Sequence, residues 1–107
     1  MRVLLDECVP RRLRSELSAH DVHTVAEMGW SGKKNGELLQ LMSGADFDAL
    51  LTVDQGLPFQ QNLVSASIAV VVMVASSNAA VDLLPLMPAV DAALASIKPG
   101  DIVEVRS

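Results

Sequence analysis

Short apolar runs alternate with amphipathic stretches along this chain, and most runs end in polar or acidic residues. Arg2 to Leu5 reads as a short strand that enters the acidic pair Asp6 and Glu7. Pro10 suits the first position of a helix, where its missing N–H costs nothing. Val9, Leu13 and Leu17 then repeat at helical spacing through about Ala19, which leaves Arg11, Arg12 and Arg14 on the outer faces. After a turn at His20 and Asp21, Val22 to Val25 alternates as a second strand, and an irregular stretch containing Gly29, Trp30 and Gly32 follows. Asn35 can cap a helix from Gly36 to about Ser43, with Leu38, Leu41, Met42 and Ala45 as its apolar stripe. Glu37 falls in the first turn, about 40° around the axis from Leu41, and so borders the buried face.

Ala49 to Val53 is the third predicted strand, ended by Asp54, Gln55 and Gly56, and Gly56 to Asn62 forms a short helix or turn. Ile68 to Val74 is the most apolar and β-branched run, so it is expected to be a central strand. Ser76, Ser77 and Asn78 supply turn and cap chemistry for a helical region from about Ala79 to Ile97, interrupted by Pro85 and Pro88. Pro99 and Gly100 turn the chain into a last strand, Ile102 to Val105, whose alternating polarity suits a sheet edge. Strands alternating with helices in this way imply an α/β fold. Right-handed crossovers give a mainly parallel five-stranded sheet with helices on both faces.

At 107 residues the chain is expected to form one domain, and half of its residues are hydrophobic, which excludes a disordered polypeptide. The longest apolar run, Ser67 to Ala75, is far shorter than the roughly 20 residues a membrane helix needs. The opening residues meet an acidic pair too early for a signal peptide, so the cytoplasm is the expected location. The lone Cys8 cannot form an internal disulfide and fits a reducing compartment; beside Asp6 and Glu7 it reads as packing rather than as a nucleophile. A net charge of −5 argues against broad nucleic-acid affinity. Yet Arg11, Arg12, Arg14, Lys33 and Lys34 all precede Glu37, a distribution that suits either solvated faces or a rim that holds phosphates.

The candidate chemistry lies in acids at element ends. In a parallel sheet the active crevice lies beyond the carboxyl ends of the strands, where the following helices begin. Asp6 ends the first strand, Glu37 begins a helix, Asp54 ends the third strand, and Ser76 to Asn78 end the fourth. Singly, each acid suits a cap or a turn. Together on one edge, like charges call for a proton or a cation, and hard oxygen ligands suit Mg²⁺ or Mn²⁺. Glu7 can stabilise the following helix or assist Asp6. His20 and His23 lack metal-ligand spacing and read as solvent or packing residues, and Trp30 reads as core cover more than as a base-stacking platform.

The segments LLDECVPRRLRSEL, HDVHTVAEMGW, NGELL, FDALLTVDQ with its continuation GLPFQQNL, and IAVVVMVASSN, taken in order, resemble the small bacterial PIN-like proteins, a group often associated with toxin–antitoxin systems. The resemblance covers nearly the whole chain. It implies a three-layer α/β/α sandwich and a Mg²⁺- or Mn²⁺-dependent ribonuclease in which Asp6, Glu37 and Asp54 are the metal ligands and catalytic acids. A metal-bound water would attack the RNA phosphodiester, with Arg11, Lys33 and Lys34 holding substrate phosphates. Glu7, Asn35 and Ser76 would be auxiliary residues, and an antitoxin or a second copy of the chain a partner. Two positions depart from that pattern: Ser76, Ser77 and Asn78 stand where a further acid often completes the cluster, and Asn35 stands where some relatives place an aspartate. Fewer carboxylates weaken a metal site.

Two other readings compete. A phospho-acceptor receiver domain also has acids after the first and third strands, a hydroxyl after the fourth and a Lys-Pro pair, here mimicked by Asp6, Glu7, Asp54, Ser76, Lys98 and Pro99. Lys98 closes a helical stretch instead of ending a strand, however, and Glu37 would have no role. The other is a catalytically weak or inactive PIN-like interaction module that binds a partner through the Leu- and Met-rich region containing Leu83, Leu84, Leu86 and Met87.

Overall fold

The computed structural model describes residues 1–55 and 60–107, without the side chains of residues 35 and 60–62. Five strands, β1 (Arg2–Leu5), β2 (Asp21–Thr24), β3 (Ala49–Thr52), β4 (Ala69–Val74) and β5 (Ile102–Arg106), form one sheet in the order β2-β1-β3-β4-β5. Every neighbouring pair is parallel. Between them run a 3-10 segment (Arg11–Leu17), α1 (Asn35–Gly44), α2 (Gln60–Ala66), α3 (Ala80–Leu83), a short 3-10 turn (Leu84–Leu86) and α4 (Met87–Ser96). The first part of the expected helix or turn at Gly56 to Asn62 lies outside the described residues; from Gln60 the chain is helical.

The alternation of side chains along each strand builds two cores. Val3, Leu5, Ala49, Leu51, Val71 and Met73 pack on one face against Leu13, Leu17, Leu83, Met87, Val90 and Leu94. Leu4, Leu50, Val70 and Val72 pack on the other against Leu38, Leu39, Met42 and Leu63. The result is a three-layer α/β/α sandwich, and each fully buried leucine or valine contributes about 1.5–3 kcal/mol of transfer free energy. Because both faces are covered there, the inner strands β3 and β4 are near-continuous apolar runs, whereas the edge strands β2 and β5 alternate with polar residues. The Leu- and Met-rich region is part of this core: Leu83, Leu86 and Met87 are buried, and Leu84 packs against them. It therefore does not offer the partner surface expected of an interaction module. Among the described residues no helix is long and apolar enough to cross a membrane.

Three local expectations are corrected. The helix expected from Pro10 to about Ala19 is a seven-residue 3-10 segment for which Pro10 is the N-cap. With three residues per turn, Leu13 and Leu17 diverge by about 120°, yet both are buried because the segment packs against both β2 and α4. The strand expected to be central, β4, is interior but lies beside the edge; β3 holds the middle, with all four residues buried. In the second helix, the N-cap is Lys34, without a side-chain cap bond, and not Asn35. The proline-interrupted region does divide as expected, into α3, the short turn and α4, and β5 is an edge strand.

The turn into β5 depends on Gly100. Its φ is +90°, and a Cβ there would stand 2.8 Å from Val64 Cγ2. Gly100→Ala is expected to lower stability by about 1–2 kcal/mol, chiefly from left-handed backbone strain, and urea unfolding measures it.

Candidate active-site crevice

The chain leaves β1 for β2 on one side and β3 for β4 on the other, so the connections diverge between neighbouring strands β1 and β3. In open parallel sheets of this order, ligands bind in the crevice at that switch point. Asp6 and Asp54 stand there, each just beyond its strand. The Asp6 N–H donates to Leu51 O at 3.0 Å, holding the residue against the end of β3. Thr52, fully buried, links the two acids: its hydroxyl donates to Asp6 Oδ2 at 2.7 Å and accepts the Asp54 N–H at 3.1 Å. Asp6 Oδ1 accepts the Glu7 N–H at 2.8 Å.

A cavity of about 370 Å³ opens beside Asp6, lined by Glu7, Cys8, Arg11, Thr24 and Ser31 among others. Glu7 also fixes its wall, because Glu7 Oε1 accepts the Gly32 N–H at 2.7 Å and ties the end of β1 to the loop before α1. Gly32 has φ +81°, a backbone conformation that glycine adopts without strain. Arg11 is exposed at the cavity wall, whereas Arg14 pairs with Glu27 away from it. Ser76, after β4, is exposed.

Glu37 is placed differently from the two aspartates. It is 55% exposed, its carboxylate lies 3.7 Å from Lys33 Nζ, and it lines a groove with Gln40, Ser43 and Ser65. The cause is which leucine of α1 is buried. Leu38, Leu39 and Met42 face the core and Leu41 is only half-buried, which puts Glu37 about 145° from the middle of the buried face, on the solvent side instead of its border. Among the described residues, no three His, Cys, Asp or Glu side chains are gathered as a possible metal-ligand group. Lys34 is exposed at the start of α1, and the side chain of Asn35 lies outside the described residues.

The sequence alone points to no role for Thr52 and only to packing for Cys8. The one signal for Thr52 is a hydroxyl closing an otherwise apolar strand, because a buried hydroxyl needs partners. The Cys8 thiol lies 3.6 Å from Asp6 Oδ2 and 3.8 Å from Thr52 Oγ1. Cys8 is exposed as a residue, but partial burial of its sulfur, aided by the charge of Asp6, raises the thiol pKa above its ordinary value against a lowering contact with the Val53 main chain. The thiol is therefore protonated at neutral pH, so alkylation by iodoacetamide is expected to be slower than for an unperturbed cysteine and to accelerate as pH rises past the ordinary thiol range. Asp6→Asn removes one of the raising causes and is expected to speed the reaction at fixed pH.

The remaining candidates have structural partners. His20 pairs with Asp91 and His23 with Asp21, and Trp30 packs edge-on to Phe47 in the second core, as expected of a covering residue. Lys98 belongs to the opposite edge of the sheet: it leads into Gly100, whose N–H donates to Ile68 O just before β4. A receiver-type lysine beside Asp54 is thus not supplied by Lys98. Compared with protein-family models, with curated proteins and with solved structures, the chain gives no match.

Proposed function

We propose that this protein is a metal-dependent ribonuclease of the PIN-like class, with Asp6 and Asp54 as the acids of its active crevice. The observation that carries this reading is the buried Thr52 hydroxyl at the β1/β3 switch point, which donates to the Asp6 carboxylate and accepts the main-chain N–H of Asp54, beside a cavity that Asp6, Glu7 and Arg11 help to line. The donor set fits a hard divalent ion: Mg²⁺ takes one or two protein carboxylates and completes its shell with water and substrate phosphate. Cys8, held protonated, is a poor competing ligand. When bound, Mg²⁺ or Mn²⁺ supplies positive charge against a phosphodiester and makes water more acidic.

The residues of the chain do the positioning. Thr52 orients the Asp6 carboxylate by donating to Oδ2, and the Glu7 N–H fixes Oδ1. Arg11 on the cavity wall, with Lys33 and Lys34 before α1, attracts the phosphates of an RNA strand. Glu37 modulates this rim through Lys33: a substrate phosphate competes with its carboxylate for the ammonium group. A toxin role, held in check by an antitoxin, belongs to the same reading.

The reading is tested by incubating the protein with single-stranded RNA and Mn²⁺, with and without EDTA. Cleavage that EDTA abolishes supports it. Absence of cleavage, or cleavage indifferent to the chelator, contradicts it.

A further inference from the structure

The sheet ends on one side in β5, and its outer margin differs from that of β2. On β2 the outward N–H of Thr24 is already taken by Glu27 Oε1 at 2.9 Å, a contact that leads the causes holding the Glu27 carboxyl below its usual pKa. On β5, Asp101 O accepts from Val70 and the Ser107 N–H donates to Val74 O, so alternate residues of the strand face β4. Ile102, Glu104 and Arg106 consequently direct their main-chain groups outward.

The side chains of those same three residues share one face of β5 and are all exposed. Val103 and Val105 turn to the other face and pack into the core beneath α4. Glu104 and Arg106 form an ion pair two residues apart, with Arg106 Nη2 donating to Glu104 Oε1 at 2.8 Å. This spacing is self-complementary. If two copies of β5 meet antiparallel about a two-fold axis at Val105, Glu104 of each copy lies opposite Arg106 of the other. Each such pair exchanges two main-chain hydrogen bonds. A register centred on Glu104 instead would set two glutamates face to face, a destabilising cross-strand pair.

The surroundings leave room for this approach. The exposed positions of α4, which packs on β4 and β5, are Pro88, Ala89, Ala92, Ala95 and Ser96, none of them a long side chain. On the opposite face Val64 is 70% exposed next to Gly100, and Ile102 is 42% exposed. From the outward ladder and the charge pattern we infer that β5 is a self-association edge, which joins two copies of the chain into one continuous sheet with Glu104–Arg106 pairs across the junction.

Sedimentation equilibrium over a wide concentration range tests it with two charge variants, Glu104→Arg and Arg106→Glu, each checked for folding by circular dichroism. Wild type is expected to dimerise. Each variant alone, with like charges opposed at both pairs, is expected to dimerise at least about tenfold more weakly. An equimolar mixture is expected to recover wild-type association, because the arginine introduced in one variant then meets the glutamate introduced in the other. A monomeric wild type, a dimer indifferent to either variant, or a mixture no stronger than its components would overturn the assignment.

Discussion

Asp6→Asn is expected to lower Mn²⁺-dependent cleavage of single-stranded RNA by at least about a hundredfold while the protein stays folded. The magnitude follows from position: replacing groups that merely orient metal ligands costs about 10- to 100-fold in typical sites, and a carboxylate facing the ion should cost no less. The fold survives because asparagine keeps an oxygen that can accept the Thr52 hydroxyl, now held at 2.7 Å. Asp54→Asn is expected to be comparable, since Asp54 stands at the same crevice across Thr52. Glu37→Gln is expected to have a smaller effect, expressed in KM, because Glu37 faces Lys33 on the solvent side of α1. Steady-state kinetics on the three variants give the ranking, and a loss for Glu37→Gln as large as that for Asp6→Asn would reassign Glu37 as a direct ligand.

Thr52→Val carries the second large effect and separates structure from chemistry. Valine matches threonine in shape, so the fully buried site stays filled, but the hydroxyl that serves both Asp6 and Asp54 is lost. The Asp54 N–H and one oxygen of Asp6 then lack that partner, which costs about 1–3 kcal/mol of stability. Activity is expected to fall about 10- to 100-fold, because the Asp6 carboxylate is no longer oriented. Thr52→Ser retains the hydroxyl and should recover most of the activity even though it leaves a small void. Urea denaturation and cleavage rates on the same preparations separate the two effects; equal activity losses in the serine and valine variants would deny the hydroxyl its positioning role.

The fold was legible because its signals are local and repeated. Apolar runs such as Leu50–Leu51 and Val70–Val72, buried on both faces, announce parallel strands, and Pro85 and Pro88 divide the last helical region where they stand. Strand position was less legible. The extra length and β-branching of β4 suggested the centre, but the middle place went to β3, and order in a sheet depends on crossovers that composition does not encode.

The crevice was readable to the extent that its residues end strands. Asp6 and Asp54 each follow an apolar run, and parallel topology puts such positions on one edge. Glu37 was harder, because its orientation depends on the rotation of α1, and a single leucine decides it: Leu39 is buried where Leu41 was expected to be. Thr52 was hidden by its own neighbours. In the segment ALLTV it looks like an ordinary β-branched strand residue, and its importance lies in hydrogen bonds to the carboxylate of a residue 46 positions earlier and to the main-chain N–H of one two positions later.

The central claim is that Asp6 and Asp54 together hold a divalent ion, and a Mn²⁺ titration followed by electron paramagnetic resonance tests it without relying on RNA or turnover. Wild type is expected to remove the signal of free Mn²⁺ saturably, with Mg²⁺ competing, and both Asp6→Asn and Asp54→Asn are expected to weaken that binding by at least about tenfold. Undiminished Mn²⁺ binding in both variants, or none in wild type, would contradict the account.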